Sequence, residues 1–226
     1  MGNKKQKKNS NYKPNFEANN DAQAKDKRKN LIITIVCSVI GVLFAGGMIF
    51  GIIASSSPKL HYVEMDFGEY GSIVIEVDGE EAPRTSDNFL TLVNDGFYDG
   101  LTIFRAQEGF VIQGGKDDTV NLTPIVGEFA ENGHANDISH LRGVISMART
   151  GDPNSATSQF FITLHDQAKY SLDGKYAAFG KVVEGMDVVD AIAEALMACP
   201  SDYMGFVSDD DAIVIVSAKQ LENYKK

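Results

Sequence analysis

Residues 104–115 read Phe-Arg-Ala-Gln-Glu-Gly-Phe-Val-Ile-Gln-Gly-Gly. One cation, Arg105, stands five residues before an apolar run of Phe110, Val111 and Ile112, which ends in the amide Gln113 and the pair Gly114 and Gly115. Side chains alternate along an extended chain, so a strand here puts Val111 and Gln113 on one face and Phe110 and Ile112 on the other. A second stretch answers it: in Ser158-Gln-Phe-Phe-Ile162, Gln159 and Phe161 share a face. Together the two stretches offer a guanidinium, two amides and an aromatic floor. No metal-ligand cluster, nucleophile–base pair or phosphate loop is spaced to compete with them, so neither a metal nor a cofactor is expected.

Around this centre the pattern is one of short strands. Residues 61–67 and 72–77 alternate apolar and polar across a Gly-containing turn, the mark of a hairpin. Pro83 suits a first helical turn, Phe89, Leu90 and Val93 make an apolar stripe behind it, and Gly96 ends the helix. Strands are expected at 101–105, 110–113, 144–148, 159–164, 177–183 and 212–217. A second helix is expected over 188–197, capped by Asp187, with Val188, Ile192 and Leu196 on one side. Many strands and two helices point to an antiparallel barrel or sandwich, with the helices free to plug barrel ends.

Charge divides the chain of 226 residues. Residues 1–30 hold nine Lys/Arg against three Asp/Glu, a balance of +6, and residues 31–226 hold 12 against 28, a balance of −16. An acidic body argues against a nucleic-acid partner, which needs a clustered basic face. The tail, residues 1–30, is too polar to bury a core and reads as disordered and cytoplasmic. Residues 31–54 carry no charge. At about 1.5 Å per residue, such a helix exceeds the ~30 Å hydrocarbon of a bilayer. Lys25, Lys27, Arg28 and Lys29 precede it and Lys59 alone follows closely, which orients the N-terminus inward. The expectation is a single-pass anchor in the cell membrane, a short tether over 55–60, and a domain over 61–226 on the outer side. Ala54-Ser55-Ser56 leaves a secreted, cleaved form as the alternative. Of the two cysteines, Cys37 falls in the apolar run and Cys199 is alone in the body, so no disulfide staples the domain. His61, His134, His140 and His165 are scattered and read as surface or loop residues. The carboxylates at 117–118 and 209–211 read as solvated loops.

From Arg105 through Phe110 to Gln113, Gly114 and Gly115, the order and spacing resemble the signature of the cyclophilin-type peptidyl-prolyl isomerases. Two further blocks match that family in order: residues 143–149 with 154–162, then residues 172–182 with 184–186. The resemblance spans about residues 60–220. It implies a closed eight-stranded antiparallel β-barrel capped by two α-helices. It also implies catalytic roles for Arg105 and Gln113. By the same resemblance, Phe110, Val111 and Phe161 form the wall and floor of a proline pocket with Leu172 at its edge. Gln159 is a second orienting amide, Ala148 and Arg149 take the peptide backbone, and Tyr176 stands where many relatives carry histidine. Phe104 and Ser171 replace the His and Trp of the eukaryotic form, the latter of which helps bind cyclosporin, and Val111 replaces the commoner Met.

The chemistry implied is rotation about an X–Pro amide. The barrier is roughly 20 kcal/mol because C–N resonance must break. A catalyst must hold the twisted amide better than either planar form. Twisting returns a lone pair to the prolyl nitrogen, and a fixed cationic donor such as Arg105 can then bond to it. The expected partners are proline-containing peptides and unfolded exported proteins, met by a monomer. The alternative is a proline-peptide binding module with little turnover.

Overall fold

The structure, a computed structural model, describes residues 60–222 and Tyr224. The expected tail, membrane helix and tether over 1–59 lie outside the described residues, apart from Leu60. Among the described residues no helix is long and apolar enough to cross a membrane.

The chain opens with the expected hairpin: β1 (Leu60–Asp66) pairs antiparallel with β2 (Ser72–Asp78), from Leu60 opposite Asp78 to Asp66 opposite Ser72. Val63 and Met65 turn inward against Ile73, Ile75 and Val77, while Glu64 faces water. Helix α1 (Pro83–Asn94) follows. Pro83 sits at its start, and Ala82 at the N-cap has no side chain to offer. The orphan N–H groups of the first turn find an acceptor elsewhere: the buried Glu128 carboxylate takes Arg84 N at 3.1 Å, Thr85 N at 2.8 Å and the Thr85 hydroxyl at 2.8 Å. The helix buries Phe89, Leu90, Leu92 and Val93. Phe89 meets Tyr98, Phe160 and Phe179 at ring centroid distances of 5.4, 6.2 and 5.0 Å, the aromatic centre of the core.

The middle of the sheet is β3 (Thr102–Gln107), β4 (Val111–Gly114), β5 (Val144–Met147), β6 (Phe160–Thr163) and β7 (Ala178–Glu184). A four-residue helix, α2 (Lys169–Leu172), lies between β6 and β7. Helix α3 (Met186–Met197) then packs Val189, Ile192, Ala193 and Leu196 inward. Asp187 does not cap it. The helix begins at Met186, two residues before the expected start, with Gly185 at the N-cap, which leaves Asp187 inside the first turn.

Two short strands end the domain, β8 (Ile213–Val214) and β9 (Ser217–Leu221). All nine strands form one curled antiparallel sheet in the order β8-β3-β4-β6-β5-β7-β2-β1-β9. This corrects the closed eight-stranded barrel. The segment expected as one strand over 212–217 changes partner midway: Ile213 and Val214 pair with β3, whereas Ser217 onward pairs with β1. At the crossing, Ile215 N donates to Leu101 O at 2.7 Å and Val216 N donates to Asp66 O at 2.8 Å. One stretch of chain thus occupies both edges of the sheet, and the ladder breaks where it crosses between them.

The alternation of β4 and β6 sorts side chains between two apolar groups. Ile112, Phe160 and Ile162 point into the main core. Val111 and Phe161 point outward to a smaller cluster with Ala168 and Leu172, against which Phe110, Ala148 and Tyr176 pack. Phe110 therefore shares the side of Val111, contrary to the alternation. It lies in the turn ahead of β4, its N–H bonded to Gln107 O at 3.0 Å, so the period of the strand does not apply to it.

Candidate active site

The smaller cluster is the floor of a cleft of about 360 Å³ on the outer face of the sheet. Arg105, Phe110, Val111, Gln113, Ala148, Arg149, Phe161, Leu172 and Tyr176 all line it. Gln159 does not. Its side chain stands behind Gln113 and lines the neighbouring cleft. The register explains the meeting of the polar groups, since Arg105 on β3 lies opposite Gln113 on β4, and Gln113 opposite Phe161 on β6. The two glycines after Gln113 are needed for the sheet to close around this point. A Cβ on Gly114 would come within 2.6 Å of Thr102 O, and Gly115 has a φ of +78° and a Cβ there would lie 2.8 Å from the Tyr98 ring.

Arg105 is held from several directions. Nη1 donates to Gln113 Oε1 at 2.9 Å, Nη2 to Gln107 Oε1 at 2.8 Å and Nε to Met204 O at 2.9 Å. Gln113 Nε2 in turn donates to Gln159 Oε1 at 3.0 Å, so the two amides form a relay from the arginine. The Phe206 ring covers the guanidinium, its centroid 5.0 Å from Cζ. Burial draws the Arg105 pKa down and the nearby Asp202 carboxylate opposes it. The group stays a cation at neutral pH.

Across the cleft, Arg149 spreads over Tyr176 and Phe129, with Cζ 4.7 and 5.1 Å from the ring centroids. Its Nε and Nη2 both donate to Lys175 O, at 3.0 and 2.8 Å. Ala148 N is committed to Gln159 O at 2.8 Å. Tyr176 meets the Phe161 floor edge-on at 5.5 Å. Ser171 is exposed and is not among the cleft residues.

Sequence reasoning missed three contributors. Met204 and Phe206 line the cleft beside Arg105 but belong to an acidic stretch without periodicity. The signal available was the Met-Gly-Phe at 204–206, an apolar pair about a glycine among carboxylates. The third is His140, which is not a surface residue: it is 1% exposed and lies parallel to Phe161, at 5.9 Å and 19°. Its Nδ1 bonds Asp173 Oδ1 at 2.8 Å, its backbone N–H donates to the same oxygen at 2.7 Å, and its buried Nε2 has no hydrogen-bond partner among the described residues.

The cleft thus sets an immobilised guanidinium above an apolar pocket. The model of the cyclophilin type peptidyl-prolyl cis-trans isomerase/CLD family matches residues 62–219. Peptidyl-prolyl cis-trans isomerase A of Dickeya dadantii is 42% identical over 158 residues, covering 66% of this chain and 79% of that protein. Peptidyl-prolyl cis-trans isomerase B of Escherichia coli is 39% identical over 129 residues, 54% of this chain and 79% of that protein. A Cryptosporidium parvum cyclophilin-type isomerase, crystallised in the presence of the dipeptide Ala-Pro, superposes with a TM-score of 0.59 at 27% identity, covering 72% of this chain and 99% of that one. The chain belongs to the cyclophilin-type peptidyl-prolyl cis-trans isomerase family, and its enzyme class is that of the family.

Proposed function

We infer that the domain takes a proline-containing segment into the cleft and accelerates rotation about the X–Pro bond, with Arg105 as the group that senses the twisted amide. The observation that carries this is the tethering of Arg105 by Met204 O, Gln107 and Gln113 at the rim of the Phe110, Val111, Phe161 and Leu172 pocket. In the planar amide the prolyl nitrogen has no lone pair to accept a bond. As the amide twists, the lone pair returns and a guanidinium already in place binds it without reorganising, which lowers the barrier selectively. Gln113 holds the fork and Gln159 holds Gln113. The apolar walls grip the pyrrolidine ring, while the peptide backbone runs along Ala148 and Arg149. The clients are unfolded proteins on the outer side of a cell membrane, to which residues 31–54 tie the domain as a single-pass anchor with residues 1–30 inside. The uncharged run and the lysines before it support that placement.

The test is exchange of an Ala-Pro peptide by the full chain beside Arg105→Ala. The parent accelerates cis–trans exchange and the variant, still folded, loses most of the acceleration. Peptide binding without acceleration by the parent would favour a binding module instead. Protease treatment of intact cells tests the topology: the domain is digested while the tail survives.

A further inference from the structure

The loop between α3 and β8 is more organised than a connection needs to be. Ser201 and Val207 bridge antiparallel, closing a small hairpin. Asp202 pins its interior: Oδ1 accepts from Met204 N at 2.8 Å and Phe206 N at 3.0 Å, and the backbone carbonyl accepts from Gly205 N at 3.0 Å. The hairpin docks on β3 through Ala106 N to Gly205 O and Val207 N to Phe104 O, both 3.0 Å. Gly205, at φ +83°, approaches so closely that a Cβ there would lie 2.1 Å from Ala106 O. This docking sets two groups against Arg105, the Met204 carbonyl on Nε and the Phe206 ring, which Cζ overlies at 5.0 Å from the centroid. The ring is itself braced by near-parallel stacking on Phe104, at 5.9 Å and 15°.

We propose that Phe206 is a positioning residue for prolyl isomerisation, fixing the plane of the Arg105 guanidinium and keeping water from one of its faces. The proposal rests on the isomerase reading of the cleft. A guanidinium tied only at its edges by Met204, Gln107 and Gln113 can still tilt about those bonds. A ring beneath Cζ restricts that freedom and favours the cation through its π-electrons. The bond to the prolyl nitrogen is directional, so a tilt weakens it in the twisted state and leaves the planar ground state unaffected. The signature is a loss in the rate of bound substrate without a matching loss in binding.

The experiment uses the full chain and Ala-Pro peptides, measuring both the exchange rate at saturating enzyme and the peptide Kd by NMR titration. Phe206→Leu keeps apolar bulk and removes the π face. Its expected effect is about a tenfold fall in the on-enzyme rate with Kd within about twofold of the parent. Phe206→Tyr keeps the face and recovers most of the loss. The Arg105 Nε–H resonance shifts in Phe206→Leu and returns towards the parent position in Phe206→Tyr, which a remote packing defect would not produce. Phe206→Met carries the same comparison should leucine disturb the fold. An unchanged rate in Phe206→Leu overturns the proposal, as does weaker binding with the on-enzyme rate intact, since the ring would then be a pocket wall. Failure of the isomerase reading is visible separately, as absence of acceleration by the parent.

Discussion

Arg105 has five N–H donors in one plane, and three are committed to Met204, Gln107 and Gln113. Lysine reproduces the charge but not the fork, so Arg105→Lys is expected to lose about 100-fold in kcat/KM, close to Arg105→Ala, in the peptide exchange assay. Gln113→Ala leaves the guanidinium with its other ties and is expected to cost about tenfold. His140 gives a pH-dependent prediction. Burial draws its pKa below the ordinary imidazole value, while the hydrogen bond to Asp173 acts the other way. Burial would raise Asp173, but bonds from the His140 N–H, the Ser139 hydroxyl and the His140 ring outweigh it and hold the carboxyl below its usual value. In both cases the unfolded chain takes up its proton at a higher pH than the folded one. Stability is therefore full near neutrality and falls as pH drops below about 6.5. Urea unfolding at about pH 7 and about pH 5 measures the loss, which is smaller in His140→Asn, since an amide keeps a donor for Asp173 and cannot be protonated.

At the scale of elements, local pattern carries far where burial is one-sided. The alternation of residues 61–67 and 72–77 reads directly as β1 and β2, and Phe89, Leu90 and Val93 read as the buried stripe of α1. The reading weakens where a partner distant in sequence decides the outcome. Nothing near Pro83 announces that Glu128 caps its helix, and nothing near residue 215 announces a change of partner. The Ser201–Val207 hairpin is held by the Asp202 side chain and by docking on β3, neither of which leaves a period in the sequence. His140 looks like any loop histidine until the fold sets it under Phe161. The cleft itself is more legible than its supports, because Val111, Gln113 and Phe161 sit on paired strands whose outward faces alternation assigns. Glu128 offers the test at this scale. Glu128→Ala removes three hydrogen bonds to the first turn of α1 and is expected to destabilise the domain by about 3 kcal/mol in urea unfolding. Glu128→Gln, which keeps an acceptor, is expected to recover part of that.

For the molecule as a whole, the sheet rather than the helices decides integrity. Its two edges are held by residues 213–221, with β9 covering β1 from Tyr62 opposite Leu221 to Asp66 opposite Ser217. A chain ending at residue 216 loses β9 and leaves the N–H and C=O groups along one side of β1 open. Such an edge recruits other chains. The expected outcome is loss of the near-UV signal and association on gel filtration, where the full chain keeps its fold.

The pairing of β1 with β9 also orders events during synthesis. The first strand of the domain reaches its outer neighbour only when the last strand exists, about 150 residues later on the ribosome. Until then the nascent sheet has an unpaired flank beside Val63 and Met65, so the finished domain forms in one late step and not strand by strand. Contacts this far apart in sequence also slow the search for the native arrangement. The domain thus passes through its own most vulnerable interval before β9 emerges.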